Sequence, residues 1–114
     1  MGVPRAIAAI EPHPRRRQYY QLLIEDQGPI TVHYDVVVRL GLHVGMNMTA
    51  ELRRSIAREG QLAQARGTAL RLLSVRARSH QELTTALARR GFAHAVVDEV
   101  MAQLDNLALV NDEV

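Results

Sequence analysis

Cysteine, tryptophan and lysine are absent from these 114 residues, and phenylalanine occurs once. Without cysteine there is no disulfide, thiolate metal ligand, iron–sulfur cluster or thiol nucleophile. Without lysine there is no phosphate-loop lysine and no Schiff-base chemistry. No run of roughly 18 apolar residues occurs and the first residues lack the apolar block of a secretory signal, so the expectation is a cytoplasmic protein with no membrane span. All 14 basic residues are arginine. Arginine favours bidentate contacts with phosphates and carboxylates, but a GC-rich genome produces the same bias, so composition alone assigns these residues no role.

With 47% hydrophobic residues the chain can bury a core, and its length fits one compact domain or two small lobes. Two lobes are expected: a β-containing lobe over 1–48 and a helical lobe over 49–114. Charge is unevenly spread. Residues 1–60 hold eight arginines against six acids, 61–92 hold six against one, and 93–114 hold five acids and no arginine. A basic middle followed by an acidic end suits oriented docking on a polyanion; solvated helix faces would give the same pattern.

The second half reads as three short helices. Leu62, Ala65, Ala69, Leu72 and Leu73 recur at three- and four-residue steps, so the first helix presents one stripe and ends near Ser74. Arg76, Ala77 and Arg78 form the link. Ser79 and Glu82 have the spacing of a capping box that opens a second helix, whose apolar side is Leu83, Ala86 and Leu87. Arg89-Arg90-Gly91-Phe92 ends it, with cations in the last turn, a glycine at the left-handed position and Phe92 folding back on Leu87. The third helix begins near Ala93 and carries Val96, Val97, Val100, Met101, Leu104 and Leu107.

The first half follows a period of two. Tyr20, Leu22 and Ile24 alternate with Tyr19, Gln21 and Leu23, the turn Asp26-Gln27-Gly28-Pro29 follows, and Ile30, Val32 and Tyr34 alternate again. With Ala6–Ile10 as partner, this predicts a three-stranded antiparallel sheet. Asp35 is expected to cap a short helix over Val36, Val37, Val38 and Leu40 that Gly41 ends, with Leu42 and Met46 tucked under the sheet. Thr49 caps a connector helix over 49–60, Gly60 and Gly67 being points of division, and the three-helix unit occupies 61–110. The fold class is therefore α+β.

Catalytic and metal-binding devices are not found. His13, His33, His43, His80 and His94 show no three- or four-residue pairing and read as surface or turn residues. Ser55, Ser74 and Ser79 lack a nucleophile elbow. Glu25-Asp26 and Asp98-Glu99 suit a turn and a solvated helix face. No cofactor, metal or small-molecule substrate is expected, and the chain reads as a binding module and not an enzyme. Arg76, Arg78, Arg89 and Arg90, clustered near turns, are the main candidate contacts for a partner or for phosphates. Arg15, Arg16 and Arg17 are a second cluster. Helix capping is the competing role for Arg89 and Arg90, and a solvated loop for Arg15–Arg17. Tyr20 and Tyr34 share the parity of the apolar residues and are expected to be buried, leaving Tyr19 for exposure.

The signals Ala69-Leu70, Leu72-Leu73-Ser74, Arg76, Arg78-Ser79, Glu82-Leu83, Leu87, Arg90-Gly91-Phe92, Val97, Val100, Leu104, Leu107 and Asn111-Asp112-Glu113 together resemble the RecX family, regulators of the bacterial recombinase RecA. Ile10-Glu11-Pro12, the Tyr20–Asp26 strand, Leu40-Gly41-Leu42 and Gly45-Met46 resemble the β-containing region that precedes the helical repeats in some members. Ala77 stands where the family usually has proline, Val75 where an aromatic is common and Ala108 where glycine is usual. Relatives continue past Glu113 with Arg-Phe-Ala and further repeats, so the resemblance makes this an N-terminal fragment with one repeat. It implies a protein that binds RecA filaments, lowers ATP hydrolysis, strand exchange and co-protease function, and acts in recombination, DNA repair and the SOS response. Phosphate contacts with single- or double-stranded DNA are a further expectation. The alternative is a helix-turn-helix-like DNA reader using Gln81, Thr84, Thr85 and Arg89.

Overall fold

The computed structural model describes residues 5–107 and 110. The expected family positions Ala108 and Asn111–Glu113 lie outside them. The chain divides into two compact units, Met1–Gly60 and Gln61–Val114.

In the first unit, β1 (Arg5–Pro12), β2 (Tyr19–Ile24), β3 (Ile30–His33) and β4 (Asn47–Met48) make an antiparallel sheet in the order β3-β2-β1-β4, with α1 (Tyr34–Leu40) inserted after β3. The α+β class is as expected, but the sheet has four strands among the described residues instead of three. The fourth is two residues long, pairing Met48 with Arg5 and Asn47 with Ala6, and so has no alternation of its own to read. Leu22, Ile24 and Val32 are buried, as the period-two pattern requires. On β1 the register against β2 slips between Ile7 and Ala9, a bulge that keeps Ile7 buried opposite Ile24.

Two expectations in this unit change. The cap of α1 is His33, whose Nδ1 accepts from the Asp35 amide at 3.0 Å, so the helix begins one residue before Asp35. Tyr34 is consequently the first helical residue and not the end of a strand. Freed from the alternation, it is 47% exposed, against the burial expected of it. Gly41 does end α1, at φ +61°. Leu42 and Met48 complete the buried set with Val36, while Met46 is half-buried.

Helix α2 (Ala50–Val75) begins at Thr49, whose hydroxyl accepts from the Leu52 amide at 3.0 Å. Neither Gly60 nor Gly67 divides it. Each glycine costs roughly 1 kcal/mol relative to alanine, which is less than the roughly 1.5–3 kcal/mol gained by burying one large aliphatic side chain.

The second unit packs the later part of α2 with α3 (His80–Arg89) and α4 (His94–Asn106). Its core joins Leu62, Ala65 and Ala69 to Leu83 and Leu87 and to Val96, Val97, Val100, Met101 and Leu104. Leu72, Leu73 and Phe92 pack at its edge. The capping box at Ser79 is formed: the Ser79 hydroxyl accepts from the Glu82 amide at 3.1 Å and Glu82 accepts from the Ser79 amide at 3.3 Å. Helix α3 closes in a Schellman arrangement, with the Gly91 amide on the Ala88 carbonyl (3.0 Å) and the Phe92 amide on that of Leu87 (3.4 Å). Gly91 has φ +90°. Leu107 departs from expectation: α4 stops at Asn106, and Leu107 is 65% exposed outside the core stripe.

Candidate binding surface

At the α2–α3 corner, Arg76 donates to Glu82 Oε2 at 2.7 Å and to its neighbour's carbonyl, Ala77 O, at 2.9 Å. The Arg76 guanidinium and the Ser79 amide hold the Glu82 carboxyl below the ordinary carboxylate range. Arg78 turns the other way, its Nε donating to the carbonyl of Leu72 at 3.1 Å. That carbonyl belongs to the last turn of α2, so Arg78 satisfies a helix end and is half-buried in doing so. At the far end of α3, Arg90 donates to the Ala86 carbonyl at 3.3 Å. Among the described residues, Arg89 makes no side-chain hydrogen bond or ion pair and is exposed.

Arg78 and Arg89 share one open groove of about 440 Å3, lined also by Ser79, Gln81, Glu82 and Thr85. Residues 81, 85 and 89 stand one helical turn apart, which places Gln81, Thr85 and Arg89 on one solvent face of α3. Arg76 joins this surface through Glu82, whereas Arg90 is not among the residues that line it. Three of the four arginines therefore hold local structure, and reversing all four would not leave the fold undisturbed.

Arg15, Arg16 and Arg17 lie exposed in the β1–β2 connection of the first unit. His13 pins this loop, its Nδ1 accepting from the amides of Arg15 and Arg16 at 3.1 Å each. The Arg16 guanidinium lies 3.8 Å from the ring centre of Tyr19. Arg16 and Arg17 line a second cleft with the three tyrosines, a feature that strand parity hid because Tyr34 belongs to a helix.

The histidines occupy structural positions. His33 caps α1, His43 bonds the Gly41 carbonyl at 2.8 Å, His80 lies 3.4 Å from Asp105 and His94 3.5 Å from Asp98. No group of three or more His, Asp or Glu residues is arranged to hold a metal ion among the described residues. No helix among them is long and apolar enough to cross a membrane.

Fold and surface together define an α+β chain that carries a three-helix repeat module. Residues 65–104 match the family model described as the RecX first three-helix domain. A regulatory protein RecX of Geobacillus kaustophilus is 31% identical over 116 residues, covering 99% of this chain and 42% of the relative. That of Mycolicibacterium vanbaalenii is 46% identical over 50 residues, covering 44% of this chain and 27% of the relative. A crystal structure of a regulatory protein RecX superimposes with a TM-score of 0.85 at 21% identity, over 95% of this chain and 53% of that one. The chain carries, over residues 65–104, the first three-helix domain of the RecX family. It spans about two fifths of the length of the curated relatives that it matches end to end.

Proposed function

We propose that the chain is the part of a RecX-type regulator that docks on a RecA nucleoprotein filament and contributes to lowering ATP hydrolysis, strand exchange and co-protease function. The repeat over 61–110 is the docking module in this reading, with 1–48 and the connector 49–60 preceding it. The observation that carries it is the groove beside α3: two arginines of a family-matched bundle stand at its rim, Arg78 fixed by a carbonyl and Arg89 unpaired and open to solvent. A guanidinium already fixed by one hydrogen bond loses less freedom when it meets a carboxylate or phosphate. Binding and not chemistry is the activity, in the cytoplasm where a recombinase filament is found. One repeat used alone binds weakly, because tandem repeats gain by effective concentration.

Retention of this chain by RecA assembled on single-stranded DNA, compared with the DNA alone, tests the reading. Arg89→Glu reduces retention by the filament about tenfold or more while circular dichroism shows the fold kept, since Arg89 makes no side-chain hydrogen bond and its charge in the last turn of α3 contributes only about 0.3–1 kcal/mol. Equal retention by filament and bare DNA, or an Arg89→Glu chain retained like the parent, refutes it.

A second reading has one observation in its favour: Gln81, Thr85 and Arg89 share an exposed face of α3, as a helix reading base edges requires. Discrimination between duplex sequences would support it, whereas a salt-sensitive affinity indifferent to sequence marks auxiliary phosphate contact.

A further inference from the structure

The cleft of the first unit lies at the β1–β2 connection, where β2 begins and β3 ends, measures about 360 Å3 and is lined by His13, Arg16, Arg17, Tyr19, Tyr20 and Tyr34 among others. Ligand sites run from roughly 300 to 1,000 Å3, so this one has room for a single nucleotide-sized group. Its frame is fixed by backbone bonds. The His13 amide donates to the Tyr19 carbonyl at 2.8 Å, the Tyr19 amide to that of Arg16 at 3.3 Å, and the Tyr34 amide to that of Gln18 at 2.7 Å. Gln18 takes a left-handed φ of +65° to make the turn.

The side chains divide into two kinds. Tyr19 is already engaged, with Arg16 over its face and the His33 ring against it edge-on at 5.1 Å. Tyr34 is braced on one side by Tyr20, at 6.0 Å between ring centres, and remains 47% exposed. It is a large aromatic surface held in place and open to solvent. Beside it, Arg15–Arg17 carry three positive charges, and the sequence holds no acid from Pro12 to Ile24. Among the described residues no carboxylate pairs with any of the three arginines; the acid nearest in the chain to Tyr34 is Asp35, 3.6 Å from His33 Nδ1. An acidic peptide would use the cations and leave the Tyr34 ring idle. A nucleotide uses both, its phosphate on the guanidinium groups and its base on the ring.

We propose that this cleft binds single-stranded nucleic acid, with one base stacked on Tyr34 and the adjoining phosphates on Arg16 and Arg17. The proposal does not rest on the regulator reading, which uses the other unit. Stacking is tolerant of sequence because every base has a π-face, so no base preference follows.

The test is fluorescence anisotropy of labelled oligo-deoxythymidylate titrated with the intact chain at low salt. Tyr34→Ala weakens binding at least fivefold, Tyr34→Phe keeps it within twofold, and Arg16→Gln with Arg17→Gln weakens it and flattens its salt dependence, all on the order expected for stacking and phosphate contacts. An abasic oligomer of the same length binds the parent as weakly as the normal oligomer binds Tyr34→Ala. Circular dichroism of each variant shows that the fold is kept, and Tyr34→Phe against Arg17→Gln decides the matter should Tyr34→Ala unfold. Equal affinity for normal and abasic oligomers overturns the proposal. So does polyglutamate competing as well as the oligomer, which would assign the cleft to an acidic protein, or loss of binding in Arg89→Glu, which would move the site to the other unit.

Discussion

Replacing Ser79 by alanine removes the hydroxyl that accepts from the Glu82 amide at 3.1 Å and leaves that amide to solvent at the start of α3. Losing an N-cap of this kind costs about 1 kcal/mol, within a range of about 0.5–2. The Glu82 carboxylate, bonded to Arg76 and to the Ser79 amide, adds a pH dependence whose sign is fixed by its lowered pKa. A carboxyl that is more acidic when folded stabilises the fold above its unfolded value, about 4.3, and that stability is lost as pH falls through the lower folded value. Urea unfolding followed by far-UV circular dichroism, from neutral pH down to below pH of about 4, measures both effects. Ser79→Ala lowers stability by about 1 kcal/mol at neutral pH. Glu82→Gln lowers it at neutral pH and flattens part of the acid limb, because the group that titrates is gone. A Ser79→Ala penalty under about 0.3 kcal/mol, or acid limbs that coincide for the parent and Glu82→Gln, refutes the view that this box anchors the α2–α3 corner.

Two leucines on the sequence stripe separate burial from pattern: Leu87 is fully buried and Leu107 is 65% exposed. Leu87→Ala costs roughly 2–5 kcal/mol and Leu107→Ala under about 0.5, read as the shift in urea midpoint. Gly91 sits at φ +90° with no atom close to an added Cβ, so Gly91→Ala costs about 1–2 kcal/mol through backbone conformation alone; Gly91→Asn, which tolerates the left-handed region better, recovers part of it.

What the sequence makes legible in the helical unit follows from short-range rules that agree with one another. Ser79 and Glu82 can bond only if a helix starts between them, and Gly91 followed by Phe92 closes one. The stripe from Leu62 to Leu104 lies on the same faces. Leu107 failed because the stripe extends one residue past the point where the helix ends. In the β unit the strands were visible through Leu22, Ile24 and Val32, but β4 is too short to carry a period. Tyr34 departs for a related reason: the His33 ring does the capping expected of Asp35, and moving the cap two residues back makes an expected strand position the exposed first residue of a helix.

The arginine clusters show where sequence reading stops. Helix ends expose carbonyls, and a guanidinium near an end satisfies them, so arginines gather at turns for structural reasons alone. Arg78 on Leu72 and Arg90 on Ala86 are such cases, and nothing in their spacing distinguishes them from Arg89, which bonds to nothing among the described residues. Only the hydrogen-bond partners separate the arginine that carries a corner from the one left for a ligand. The same distinction orders the β1–β2 loop, where the His13 ring and backbone hydrogen bonds hold the turn and, of the three guanidinium groups, that of Arg16 lies over the Tyr19 ring. Each unit offers exposed cations beside a different second group: amide and hydroxyl side chains along α3, and an open tyrosine ring at the β1–β2 connection. A filament surface and a single strand would be told apart by which of those second groups they use.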